Sequence, residues 1–166
     1  MALLSEYTPI LASAEGRILI ACVGNVLRGD DGFGQAVATQ FGEPPEGVEL
    51  IETGIGGIAL LQELLKGCDG LVVVDAIDRG EQPGTVFVLE PEVTEARHVP
   101  DVHLANPERV LSMAKSLGCL PARVLIVGCQ PGPTELGERL SPQVERAVSV
   151  ALKEIEQAVS KWRAVH

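Results

Sequence analysis

Three residues in this chain have side chains suited to gripping one divalent cation, namely Asp31, Asp75 and His103. Asp31 lies in Cys22-Val23-Gly24-Asn25-Val26-Leu27-Arg28-Gly29-Asp30-Asp31-Gly32-Phe33-Gly34, between an apolar run, Ile18-Leu19-Ile20-Ala21, and a helical stretch from Gln35 to Phe41. Asp75 directly follows Gly70-Leu71-Val72-Val73-Val74. His103 sits in a polar loop ahead of Asn106-Pro107-Glu108-Arg109. Two carboxylates brought together repel each other unless a cation lies between them. An imidazole would complete a mixed nitrogen and oxygen set suited to a first-row ion, with coordination positions left open. Each residue also has a plainer role. Asp75 could cap a turn, His103 could bond a backbone carbonyl, and Asp31 could complement a helix dipole. Asp30 is expected to cap the first helix by accepting from an early backbone N–H. Residue types alone leave these readings open.

The elements decide whether the three can meet. Apolar runs bounded by glycine predict strands at about Arg17–Val23, Val48–Glu52, Gly70–Val74, Thr85–Leu89 and Arg123–Gly128. Helical spacing predicts helices at about Asp31–Gln40, from Ile58 through Leu65, from Asn106 to Leu117, and from Ser141 onward. In the last of these, Val144, Val148, Leu152, Ile155 and Val159 form one apolar face. Alternating strands and helices predict an α/β fold, a three-layer α/β/α sandwich on a mostly parallel five-stranded sheet. Right-handed crossovers put the second strand on one side of the first and the third on the other. Arg79–Gly84 is too short for a crossover, so strands three and four are expected to form an antiparallel hairpin. The expected order is 2-1-3-5-4, with strand four the antiparallel edge. Asp31 and Asp75 then flank the switch point between strands one and three, where ligands gather in open α/β sheets. His103, just before the third helix, is within reach of it.

Bulk composition narrows the partners. The chain has 166 residues and a formal net charge of −10, which repels nucleic acid and anionic membrane and favours cations. Residues 1–15 read as a loosely ordered leader and residues 16–166 as a single α/β domain. Cys22, Cys68, Cys119 and Cys129 form no C-x-x-C pair and read as reduced, buried thiols. The absence of a basic n-region and of any long apolar run points to the cytoplasm.

Other chemistries fit less well. Gly24, Gly29, Gly32 and Gly34 could cradle a phosphate at a helix N-terminus, which would make the chain a nucleotide or phosphate binder. There is no G-K-S/T, however, and two aspartates stand where the phosphate would sit unless magnesium intervenes. Neither H-E-x-x-H nor G-x-S-x-G occurs, and nothing singles out a serine or cysteine nucleophile.

The chain resembles the hydrogenase maturation proteases, which finish the large subunit of nickel–iron hydrogenases. Gly24 to Gly34 is similar to the family's G-N-x-L-x-x-D-D/E-x-x-G start, and Glu52 to Leu61 to its second glycine-rich turn. Val74 to Asp78 with Pro83-Gly84-Thr85, His103 ahead of a helix, Gly128 to Pro131, and Leu140 to Val144 follow in the family's order. The resemblance covers about residues 17–155. It implies an endopeptidase that removes a C-terminal extension from the precursor once nickel is loaded. The family's nickel-binding positions fall on Asp31, Asp75 and His103, which would act as both metal-contacting and catalytic residues. The nickel belongs to the substrate, and other divalent first-row ions could substitute. Gly24, Asn25, Gly54 and Gly57 are expected to let the peptide backbone approach closely. The implied partner is the large-subunit precursor, met by a monomer. A chaperone that binds the precursor without cutting it is the remaining alternative. Asp31 stands where some members carry glutamate, so its carboxylate must come from a closer backbone. Ile55 replaces a frequent threonine and removes a hydroxyl.

Overall fold

The computed structural model describes residues 16–54, 56–96, 106–132, 137 and 139–165. Strand β1 (Ile18–Val23) is buried along its whole length, as a strand covered on both faces must be. Its even residues Ile18, Ile20 and Cys22 join one apolar cluster, and its odd residues Leu19, Ala21 and Val23 join a second. That alternation builds two cores from one sheet. The first cluster is closed by α1 (Phe33–Phe41) and α4 (Pro142–Arg163), through Phe33, Val37, Val144, Val148, Ile155 and Val159. The second is closed by α2 (Gly57–Leu65) and α3 (Pro107–Ser116), through Leu60, Leu64, Val110 and Leu111. Leu152, expected on the buried face of α4, is only partly buried at its margin.

The remaining strands are β2 (Val48–Gly54), β3 (Gly70–Ala76), β4 (Val86–Leu89) and β5 (Arg123–Cys129). Their order in the sheet is β2-β1-β3-β5-β4. β1 pairs in parallel with β2 and β3, and β3 in parallel with β5. β4 pairs antiparallel with β5, Val86 opposite Cys129 and Leu89 opposite Ile126. The order and the antiparallel edge are as the sequence predicts, but β3 and β4 form no hairpin. β5 returns between them and is hydrogen-bonded on both sides, while β4, at the edge, keeps one partner.

Local chemistry accounts for the element ends. Asn106 accepts from Glu108 N–H at 2.9 Å and Pro107 takes the first helical position, so α3 starts where its cap requires. At the amino ends of the strands, buried Arg17 is paired with Glu49 (2.7 Å) and Glu63 (2.9 Å) and bonds the Gly67 carbonyl at 3.0 Å. At the carboxyl ends, a side chain on Gly34 would run into the Val23 backbone. The bare glycine lets α1 lie directly against β1. Among the described residues, no helix is long and apolar enough to cross a membrane.

Candidate functional site

Beyond β1 the chain turns back on itself through a hydrogen-bonded loop. Gly24 has φ 145°, and a side chain there would collide with the Asp31 carbonyl, so only glycine closes this turn. Asn25 N–H donates to that same carbonyl at 3.0 Å, and Arg28 N–H to the Asn25 carbonyl at 3.1 Å. The Asn25 side chain accepts from Leu27 N–H at 3.0 Å. Gln35, on α1, donates from Nε2 to the Gly24 carbonyl at 2.7 Å, while its Oε1 is buried and has no partner among the described residues. Gly24 N–H reaches the Gly54 carbonyl at the end of β2, at 3.0 Å, joining the two glycine turns. Gly57 opens α2.

The turn ends in a short 3₁₀ segment, Gly29–Gly32, that carries both aspartates. Asp30 does not cap α1. The cap position belongs to Gly32, which makes no side-chain bond, and Asp30 is 1 % exposed and points elsewhere. Its carboxylate accepts from Gly132 N–H (2.8 Å), Ser141 N–H (2.6 Å) and Ser141 Oγ (2.8 Å). The 3₁₀ turn displaces the start of α1 to Phe33 and swings Asp30 towards the residue that precedes α4.

Asp31, one residue on, is partly buried, and burial raises its pKa against an opposing pull from Arg28. Asp75 is the sixth residue of β3, opposite Gly128 of β5. It is pushed up to about 7, first by burial and then by the negative charge of Asp31, with a backbone bond from Ala76 opposing. The two acids are therefore close enough to repel. As the strand order requires, they meet at the carboxyl ends of neighbouring strands. Near neutral pH such a pair either keeps a proton on Asp75 or gives it up to a divalent cation with open coordination positions. His103 and Ile55 lie outside the described residues.

In the sequence, Gln130 counts only as part of the segment Gly128 to Pro131, with no role of its own. It is 5 % exposed and accepts through Oε1 from Arg79 N–H (2.7 Å) and Glu81 N–H (3.2 Å). Its Nε2 donates to Asp78 Oδ1 at 3.0 Å. That bond, with one from Gly80 N–H, holds the Asp78 carboxyl below its usual range. Gln130 thereby clamps the loop after Asp75 onto the end of β5. The available signal was a polar side chain at the exit of an apolar strand, immediately before Pro131. Two cavities of about 380 and 360 Å³ border the segment Glu90–Val93, and neither includes Asp31 or Asp75.

Residues 36–158 match the family model described as HycI, hydrogenase maturation protease. That span contains Asp75 and His103. The hydrogenase expression/formation protein HupD of Bradyrhizobium diazoefficiens is 31% identical over 91% of this chain and 82% of its own length. HupM of Azotobacter chroococcum is 34% identical over 86% and 73%. Among solved structures, the Escherichia coli hydrogenase maturating endopeptidase HybD superposes with a TM-score of 0.75 at 29% identity, covering 87% of this chain and 93% of that one. The [NiFe] hydrogenase maturation protease HycI of Thermococcus kodakarensis gives 0.68 at 26% identity, with the same coverage.

Proposed function

This chain belongs to the hydrogenase maturation protease family, and from that we propose that it cuts the C-terminal extension from a nickel–iron hydrogenase large-subunit precursor after nickel has been loaded. The observation that carries the reading is the pair Asp31 and Asp75, near enough that burial and the charge of Asp31 together push Asp75 up to about 7. A carboxyl so placed is poorly suited to structure and well suited to taking a cation. Asp31, Asp75 and His103 would hold the substrate's nickel, and Gly24, Asn25, Gly54 and Gly57 would shape the turns beside it. The nickel would orient the scissile peptide, or polarise its carbonyl and a water. Water adds across the amide, the carboxylate stays on the mature subunit and the amine leaves with the extension. We read the acting unit as one domain over residues 16–166, monomeric and cytoplasmic. Four free cysteines fit a reducing compartment.

Binding requires both carboxyls ionised, so Asp75 must lose its proton as the metal arrives. The affinity for nickel-loaded precursor should therefore decline as pH falls below about 7, the value to which Asp75 is pushed. The decisive measurement is the intact mass of nickel-loaded and nickel-free precursor after incubation with the wild-type chain and with Asp75→Asn. Loss of a short C-terminal peptide in the loaded, wild-type sample alone is the expected result. Unchanged cleavage by Asp75→Asn would remove Asp75 from the site. Tight association without cleavage would make the chain a chaperone for the precursor.

A further inference from the structure

The turn that delivers Asp31 also holds two apolar side chains out in water. Val26 is 49% exposed and Leu27 55%. The backbone beneath them is not loose. Leu27 N–H is bonded to Asn25 Oδ1 at 3.0 Å, and the Leu27 carbonyl accepts from Gly137 N–H at 3.0 Å. Gly29 N–H returns to the Gly137 carbonyl at 2.6 Å. Exposed turns ordinarily carry polar residues, whereas this one fixes its backbone and presents hydrocarbon. A third apolar side chain, Ile58, is 50% exposed at the second residue of α2. It follows the neighbouring glycine turn, which the Gly24–Gly54 bond ties to the first.

We propose that Val26, Leu27 and Ile58 form a preorganised apolar rim that seats the folded body of the precursor around its metal, and not the extension that is cut away. This assignment rests on the maturation reading. Asp31 is partly buried, while residues four and five positions before it in the same turn are half exposed. A metal carried inside a folded partner to Asp31 brings that partner's surface against the turn that carries Asp31. A rigid rim loses little conformational freedom when it is covered, which is what makes apolar contacts count in an interface. The partner surface next to the metal is thus apolar, and its docking is separate from recognition of the peptide that is cleaved.

The test compares the double variant Leu27→Ser/Ile58→Ser with the wild type on two ligands: nickel-loaded precursor, and the nickel-loaded large subunit truncated at the cleavage point. The expected result is a KM for precursor raised about tenfold or more, with kcat within about twofold of wild type. The Kd for the truncated subunit should weaken by the same factor. Leu27→Met/Ile58→Leu, which keeps the hydrocarbon, should behave as wild type. So should Val150→Ser, a control on α4 that is 47% exposed. If the wild type cuts and the double serine variant binds both ligands as tightly, the rim is not the docking surface. A loss confined to the ligand carrying the extension would hand these residues to the extension and overturn the assignment. If the wild type neither binds nor cuts, the maturation reading falls and the rim falls with it.

Discussion

At Asp75 the environment works against ionisation twice, through burial and through the charge of Asp31, and the carboxyl is pushed up to about 7. In the unfolded chain an aspartate titrates near ~3.9. Because the folded value is the higher one, the folded chain keeps a proton that the unfolded chain has already released between about pH 4 and pH 7. Stability is therefore fully present below that window, is lost as pH rises through it, and stays lost above. The size is on the order of a few kcal/mol. Asp75→Asn removes the titration while preserving the shape. It should raise the unfolding free energy relative to wild type at pH 8 and make little difference at about pH 3.5, below the window, even as it abolishes processing. Urea melts at the two pH values would show this. Parallel stability curves for wild type and variant would mean that Asp75 is not held against its charge. A change that strengthens the fold and removes the activity marks a residue kept for chemistry.

One level up, the element to watch is the 3₁₀ turn Gly29–Gly32, which connects the site to the far end of the chain. Asp30 gathers the Gly132 amide, the Ser141 amide and the Ser141 hydroxyl, and so fixes both flanks of the loop that leads into α4. Replacing it with alanine leaves three donors without their acceptor. The cost should be about 2–4 kcal/mol, since each such orphan costs about 1–3 kcal/mol before water reaches it. Asp30→Asn keeps one acceptor oxygen and should lose roughly half as much. Hydrogen exchange at the Gly132 and Ser141 amides should accelerate in both variants. A melting temperature for Asp30→Ala within about a degree of wild type would show that water takes over the carboxylate's role.

For the molecule as a whole, the two apolar layers enclose all four cysteines. Burial pushes Cys22 up to about 12 and Cys68 and Cys129 to about 11, and it raises Cys119 as well. Thiols are nucleophiles only as thiolates, so none is poised to attack a peptide bond. In native buffer, a disulfide reagent should modify them no faster than the chain opens globally, and in denaturant all four should react. One thiol reacting within seconds under native conditions would contradict both the packing and the exclusion of a cysteine nucleophile.

How much of this could be read beforehand depends on where each feature's partners lie in the chain. Strand β1, the cap at Asn106 and the apolar face of α4 are set by neighbours within a few residues, and the sequence displays them directly. Strand order follows from crossover handedness, which is general, so the meeting of Asp31 and Asp75 was also legible. The absence of a β3–β4 hairpin was not, because six residues between the strands suggest one, even though the expected order already set β4 at the edge beside β5. Nor were the duties of Asp30 and Gln130. Asp30 finds its donors 102 and 111 residues away, and Gln130 finds its donors 49 and 51 residues back and its acceptor 52 back. A buried polar group must be satisfied, but which loop satisfies it depends on what the sheet order places beside it. Sequence alone determined that two acids stand at the ends of adjacent strands. It also assigned Asp30 to the scaffold and Asp31 to the site; tertiary structure decided what Asp30 holds there, the Gly132 and Ser141 donors in place of a helix cap.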